Sequence, residues 1–127
     1  MFYYTKTTSK SFDEIVTELE KNIAEHGLRI LHTHNVQQTF AEKGFEFIPY
    51  KIIEVCNVKF AKQALDADRL IGLMMPCPIV IWHEKGITTI STMLPTAMIE
   101  FFPDKGLNNF AEELEAILRN IIDKSVA

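Results

Sequence analysis

The sequence has little with which to build a covalent or metal framework. It holds two cysteines, Cys56 and Cys77, and four histidines in 127 residues. Twenty residues lie between the cysteines, so neither a C-x-x-C redox motif nor a zinc-ribbon knuckle is present. The five glycines stand singly, which excludes a Gly-rich phosphate loop. There is no internal repeat, low-complexity tract or linker composition, so residues 1–127 are read as a single domain. Basic charge is also scarce: 13 Lys and Arg are interspersed with 17 Asp and Glu, for a net charge of −4. A nucleic-acid or anionic-membrane surface needs a concentrated basic field, and none is found. The longest apolar run, Leu70 to Trp82, is broken by Gly72, Pro76 and Pro78. A membrane helix needs ~20 apolar residues. Met1-Phe2-Tyr3-Tyr4 lacks the basic-then-apolar order of a secretory signal. These features predict a cytoplasmic protein whose thiols stay reduced.

What is present suffices for a core. Apolar residues make up 47% and charged residues 24%, and a chain of ~150 residues buries ~70% of its unfolded surface. Phe2 to Thr8 alternates and reads as a first strand. Ser11 is an N-cap candidate, and Phe12, Ile15, Val16, Leu19 and Ile23 follow at helical spacing before Gly27. Leu28 to Val36 is a second strand and Gln37 to Lys43 a short helix closed by Gly44. Phe47 to Cys56 is a third strand, with Pro49 implying an edge position or a bulge. Asn57 caps a helix from Val58 to Leu65, and Leu73 to Met75 reads as extended. Pro78 to His83 and Ile87 to Met93 form a hairpin across Glu84-Lys85-Gly86. Pro95 to Phe102 is a helical segment. Leu107 to Ile122 is the closing helix, with Leu107, Phe110, Leu114, Ile117, Leu118 and Ile121 on one stripe.

The order β-α-β-β-α-β-β-α, with strands joined as hairpins, predicts an α+β two-layer fold: a mainly antiparallel sheet with its helices packed on one face. The first and closing helices should be the longest. The hairpin and the third strand leave sheet edge needing cover, which predicts a homodimer.

Phe12-Asp13-Glu14, Phe47 to Tyr50, Val55-Cys56-Asn57, Ala61 to Leu65, and Ile71-Gly72-Leu73 leading to Met75-Pro76-Cys77 occur in that order across residues 3 to 95. In this the chain resembles the domain-of-unknown-function family 302. It departs in carrying Val58 where many relatives have proline after the Cys-Asn pair. The resemblance implies a TATA-binding-protein-like fold class, with a curved antiparallel sheet and helices on one side, and no reaction.

The thiols are the sharpest candidate site. Cys56 ends the third strand and Cys77 begins the fourth, so antiparallel pairing brings both to one end of the sheet, within disulfide reach or a little beyond. Cys56 also precedes an N-cap, where unpaired N–H groups and the positive helix end favour a thiolate, and Lys59 and Lys62 follow. With Asn57 and Pro76, the thiols would line a ligand cleft. The plain alternative is two small buried hydrophobes, the usual fate of free cysteine. His32 and His34 share one strand face at a spacing two metal ligands can use, with His83 or a thiol as a third. The plain alternative is a hydrogen-bonded pair, and no metal site is assigned. Phe101-Phe102-Pro103 beside Met93 and Met98 would line an apolar pocket or, as such side chains more often do, fill core.

Three functions remain open. The first is a non-enzymatic small-molecule-binding or interaction module, homodimeric, with its cleft near Cys56 and Cys77. The second is a thiol-dependent redox or sulfur-handling enzyme, with Cys56 as nucleophile and Cys77 as resolving thiol. The third is a metal or haem carrier using His32, His34 or the thiols. The residues leave the cofactor unknown.

Overall fold

Three of the helices start where a polar side chain takes up an unpaired backbone donor. Ser11 Oγ accepts from the Glu14 N–H at 3.2 Å, opening α1 (Phe12–Glu25). Asn35 Oδ1 accepts from the Gln38 N–H at 3.0 Å, opening α2 (Val36–Glu42). Asn57 Oδ1 does the same for the Phe60 N–H at 3.0 Å, opening α3 (Val58–Ala67). A short α4 (Pro95–Met98) and the 19-residue α5 (Asn108–Val126) complete the helices. This computed structural model describes residues 1–127.

The strands are β1 (Tyr3–Thr8), β2 (Arg29–Asn35), β3 (Tyr50–Cys56), β4 (Cys77–Glu84) and β5 (Ile87–Met93). They form one sheet in the order β1-β5-β4-β3-β2, antiparallel throughout. The β4–β5 turn uses Lys85 and Gly86 at φ 53° and 80°, the positive values that a two-residue hairpin turn demands.

Register and burial together separate the two faces of the sheet. Ile53 pairs with Ile79, Ile81 with Ile90, and Val55 with Cys77. Ile53, Ile79, Ile81 and Ile90 are fully buried and Val55 nearly so. Alternation then assigns their sequence neighbours Tyr50, Ile52, Val80 and Trp82 to the other face. Onto the inner face pack Ile15, Leu19 and Ile23 of α1, Phe60 and Ala64 of α3, and Leu114, Leu118 and Ile121 of α5, all in one core cluster. Between α1 and α5, Asn22 Nδ2 donates to Ser125 Oγ at 2.9 Å, and Ser125 Oγ donates to the Ile121 carbonyl at 2.7 Å. The buried amide and hydroxyl therefore satisfy each other.

The expected fold class holds, and α1 and α5 are the longest helices on the expected shared face. Several boundaries differ. Residues 69–74 form a 3-10 helix in place of an extended stretch, because Asp68 Oδ1 accepts from the Leu70 N–H at 2.9 Å and caps a helical turn. The ladder of β3 starts only at Tyr50, since Pro49 has no N–H to contribute. β3 is an interior strand, and the edges are β1 and β2. Pro49 therefore marks the start of the ladder, not an edge.

The core makes a testable contrast. Ile81→Ala removes a fully buried side chain and should cost ~2–5 kcal/mol in urea unfolding. Ile87→Ala, at a position 44% exposed, should stay within about 1 kcal/mol. Equal costs would contradict the assignment of faces.

Candidate functional site

The sheet end chosen by the thiols forms as expected, but the thiols part there. Cys56 is the last residue of β3 and Cys77 the first of β4. The register pairs Cys77 with Val55, not with Cys56. Cys77 therefore follows Val55 onto the inner face and packs against the core, while Cys56 points with Glu54 toward the uncovered face. Both are free thiols. Burial pushes the Cys77 thiol up to about 11, and the neighbouring Cys56 adds to the shift. At neutral pH Cys77 is a protonated, core-packed group, poorly suited to resolve a disulfide.

The surroundings of Cys56 are also partly committed. Asn57 spends its side-chain oxygen on the α3 cap. Lys62 pairs with Asp66 at 2.6 Å instead of turning toward the thiol. None of the five cavities is lined by Cys56, Asn57, Pro76 or Cys77. The expected cleft is thus not among the cavities of the chain, because Cys77 occupies the inner face that would have had to open.

The histidines divide by the same parity. His32 lies opposite Glu54, and His34 Nε2 is 2.9 Å from Glu54 Oε1, with the two rings edge-to-face at 4.3 Å. His83 lies opposite Thr88, whose side chain is fully buried. It is bonded there through Nδ1 at 2.8 Å, on the inner face and two strands away. It cannot complete a site with His32 and His34. No group of three or more His, Cys, Asp or Glu side chains is placed to hold a metal.

The uncovered face is the feature that sequence reasoning missed. Tyr50 and Trp82 are register partners there and stack with centroids 5.8 Å apart and planes 6° apart. Phe47 lies 5.9 Å from Tyr50, and Phe40 of α2 lies 5.1 Å from Phe47. The row runs along one end of the face. Pro78, Val80, Trp82 and Met93 line a cavity of about 260 Å³ next to it. The signal was in the alternation: in β4, both Ile79 and Ile81 and their neighbours Val80 and Trp82 are apolar, so this strand has no polar face.

Phe101, Phe102, Met93 and Met98 split between the two readings of that segment. Met98 is core at 2% exposed and Phe102 packs against the core, but Phe101 is 73% exposed. Met93, Met98 and Phe101 line a cavity together with Met1 and Phe2.

An open antiparallel sheet with helices layered on one face and an aromatic row on the other defines an α+β two-layer protein with a bare sheet surface. The chain belongs to the family described as Domain of unknown function DUF302, which it matches over residues 4–125. It is similar to the crystal structure of an uncharacterized conserved DUF302 protein from Bacillus stearothermophilus, at 32% identity and a TM-score of 0.90, over 98% of each chain. No curated protein matches it. No helix is long and apolar enough to cross a membrane.

The parity of the thiols predicts an alkaline signature. A Cys77 pKa raised from 9.0 to about 11 in the folded state stabilises the fold fully below pH 9. The contribution is lost as pH rises from 9 through 11, because the unfolded thiol ionises first. The loss should reach roughly 2–3 kcal/mol, and Cys77→Ala should remove it from urea titrations across that range. A wild-type slope identical to that of the variant would show that Cys77 is not held neutral in the core.

Proposed function

We propose that this protein is a non-enzymatic interaction module that works as a homodimer, with the bare face of its sheet as the contact surface. One observation carries the reading. Phe40, Phe47, Tyr50 and Trp82 form a continuous aromatic row, with Val80, Pro78 and Met93 beside it, on the face opposite α1, α3 and α5, where only the short α2 reaches one end. Aromatic and methionine side chains concentrate at the centres of protein interfaces, and an apolar sheet face is ordinarily buried by a second layer.

The sheet edges argue for the same surface. β2 carries a bulge between Ile30 and His32 and is ended by α2 directly after Asn35. β1 carries Lys6 among its six residues. Bulges and edge lysines suppress strand-to-strand pairing, so a second copy meets the face more readily than the edge. Cys56, Glu54, His32 and His34 then form a polar rim at the β2–β3 end of that face. We place the protein in the cytoplasm on the support of its two free thiols, which a reducing compartment preserves.

Light scattering at tens of micromolar should return twice the 14.6 kDa chain mass. Val80→Glu sets a charge in the middle of the face and should give a monomer with unchanged far-UV circular dichroism. Trp82 is the sole tryptophan, so its emission should shift to longer wavelength as dilution separates the copies. A wild-type monomer, or a Val80→Glu dimer, would overturn the proposal.

A further inference from the structure

Beyond the sheet face, Phe2 and Met93 also border a second cavity, of about 370 Å³, whose other walls are Met1, Ala97, Met98, Glu100 and Phe101. It lies where the residues before β1 meet α4 and the 3-10 turn that follows it. The volume falls within the range of small-molecule sites, roughly 300–1,000 Å³. Its walls are apolar with one exception, Glu100. Phe101 and Phe2 stand 73% and 61% exposed along it, so neither ring is spent on the core.

Glu100 also borders a neighbouring polar cleft of about 420 Å³, where Asp104 and Glu112 add two further carboxylates. None of the three is ion-paired within the chain, whose four ion pairs lie elsewhere. No lysine, arginine or histidine lines either cavity. The one basic group at hand is the α-amino group of Met1, a residue 95% exposed. The two cavities thus meet at Glu100, and the groove along them is apolar on the Phe2–Phe101 side and negative on the side beyond Glu100.

We infer that this groove binds a small organic cation: an ammonium group seated at Glu100, carrying an alkyl or aryl body that lies between Phe2, Met93, Met98 and Phe101. The sign follows from the unpaired carboxylates, since a carboxylate ligand would meet like charge there. The body follows from the apolar walls, and the two exposed rings offer faces that attract a cation. The inference goes beyond the interface reading. It concerns a cavity beside α4 that shares Phe2 and Met93 with the edge of the sheet face, while Glu100 and Phe101, on which its test turns, lie outside that face.

Octylammonium, 1-octanol and octanoate share one apolar chain and differ in the charge of the head. Isothermal titration of the full chain with each separates the apolar contribution from the charged one. Octylammonium should bind tightest and octanoate weakest. Glu100→Gln should weaken octylammonium by about 3- to 5-fold, the scale of a solvent-exposed ion pair, and leave 1-octanol unchanged. Phe101→Ser should weaken octylammonium and 1-octanol together. Both substitutions fall on exposed side chains, and far-UV circular dichroism verifies that the variants fold. Octylammonium binding no more tightly than 1-octanol, an affinity indifferent to Glu100→Gln, or no saturable heat with any of the three would each overturn the inference.

Discussion

The structure depends on one constraint: every substantial helix has to find its apolar surface on the same side of one sheet. The stripes of α1 and α5 face Ile53, Ile79, Ile81 and Ile90, all fully buried. Between the helices, the Asn22–Ser125 hydrogen bond satisfies two polar groups that packing has removed from water. Leaving either without a partner would cost ~1–3 kcal/mol, so the bond fixes how α1 and α5 lie against each other. Once the inner face is filled in this way, only the seven-residue α2 is left for the outer one, and it reaches no further than the Phe47 end. The bare aromatic surface is the other consequence of the same packing.

The helices and the layer they form were legible in the sequence because helical periodicity is a local property. Ser11, Asn57 and the spacing of Ile15, Leu19 and Ile23 mark their elements without reference to anything distant. Even the ends of β3 and β4 were placed at Cys56 and Cys77. What could not be read was parity. Whether Cys77 falls opposite Val55 or opposite Cys56 is decided by how α3 and the following 3-10 helix bring the chain back, and a one-residue difference sends a side chain to the other face. Reading residues 73–75 as extended left that return path undefined. The same parity separates His83 from His32 and His34, so spacing along one strand showed a pair of histidines but not what would join them.

The identity of the edges was hidden for a related reason. Pro49 suggested an edge position or a bulge for β3, yet it lies just outside the ladder, and its carbonyl accepts from the His83 N–H at 3.1 Å. A proline is compatible with an interior strand when it precedes the first ladder donor. The true edges, β1 and β2, are set by the order in which the strands assemble, and that order is not local. The apolar outer side of β4 was visible in the run from Ile79 to Trp82, but an unbroken apolar strand reads equally as one buried between two layers.

That ambiguity bears on what the outer face can do. Burying one large apolar side chain completely is worth roughly 1.5–3 kcal/mol, and Tyr50, Ile52, Val80 and Trp82 are already half-buried by their neighbours on the sheet. Covering these four would recover only part of that value from each. Association of two chains first has to offset ~4–15 kcal/mol of lost translational and rotational freedom. The centre of the face is therefore too small to hold a dimer unaided. A stable contact has to extend outward to Met93, Tyr3 and Ile87 in one direction and to Phe47 and Phe40 in the other, where exposure is still 39–45% at all but the half-buried Met93. The periphery of the face, where the most apolar surface remains to be buried, would then decide whether a partner stays bound.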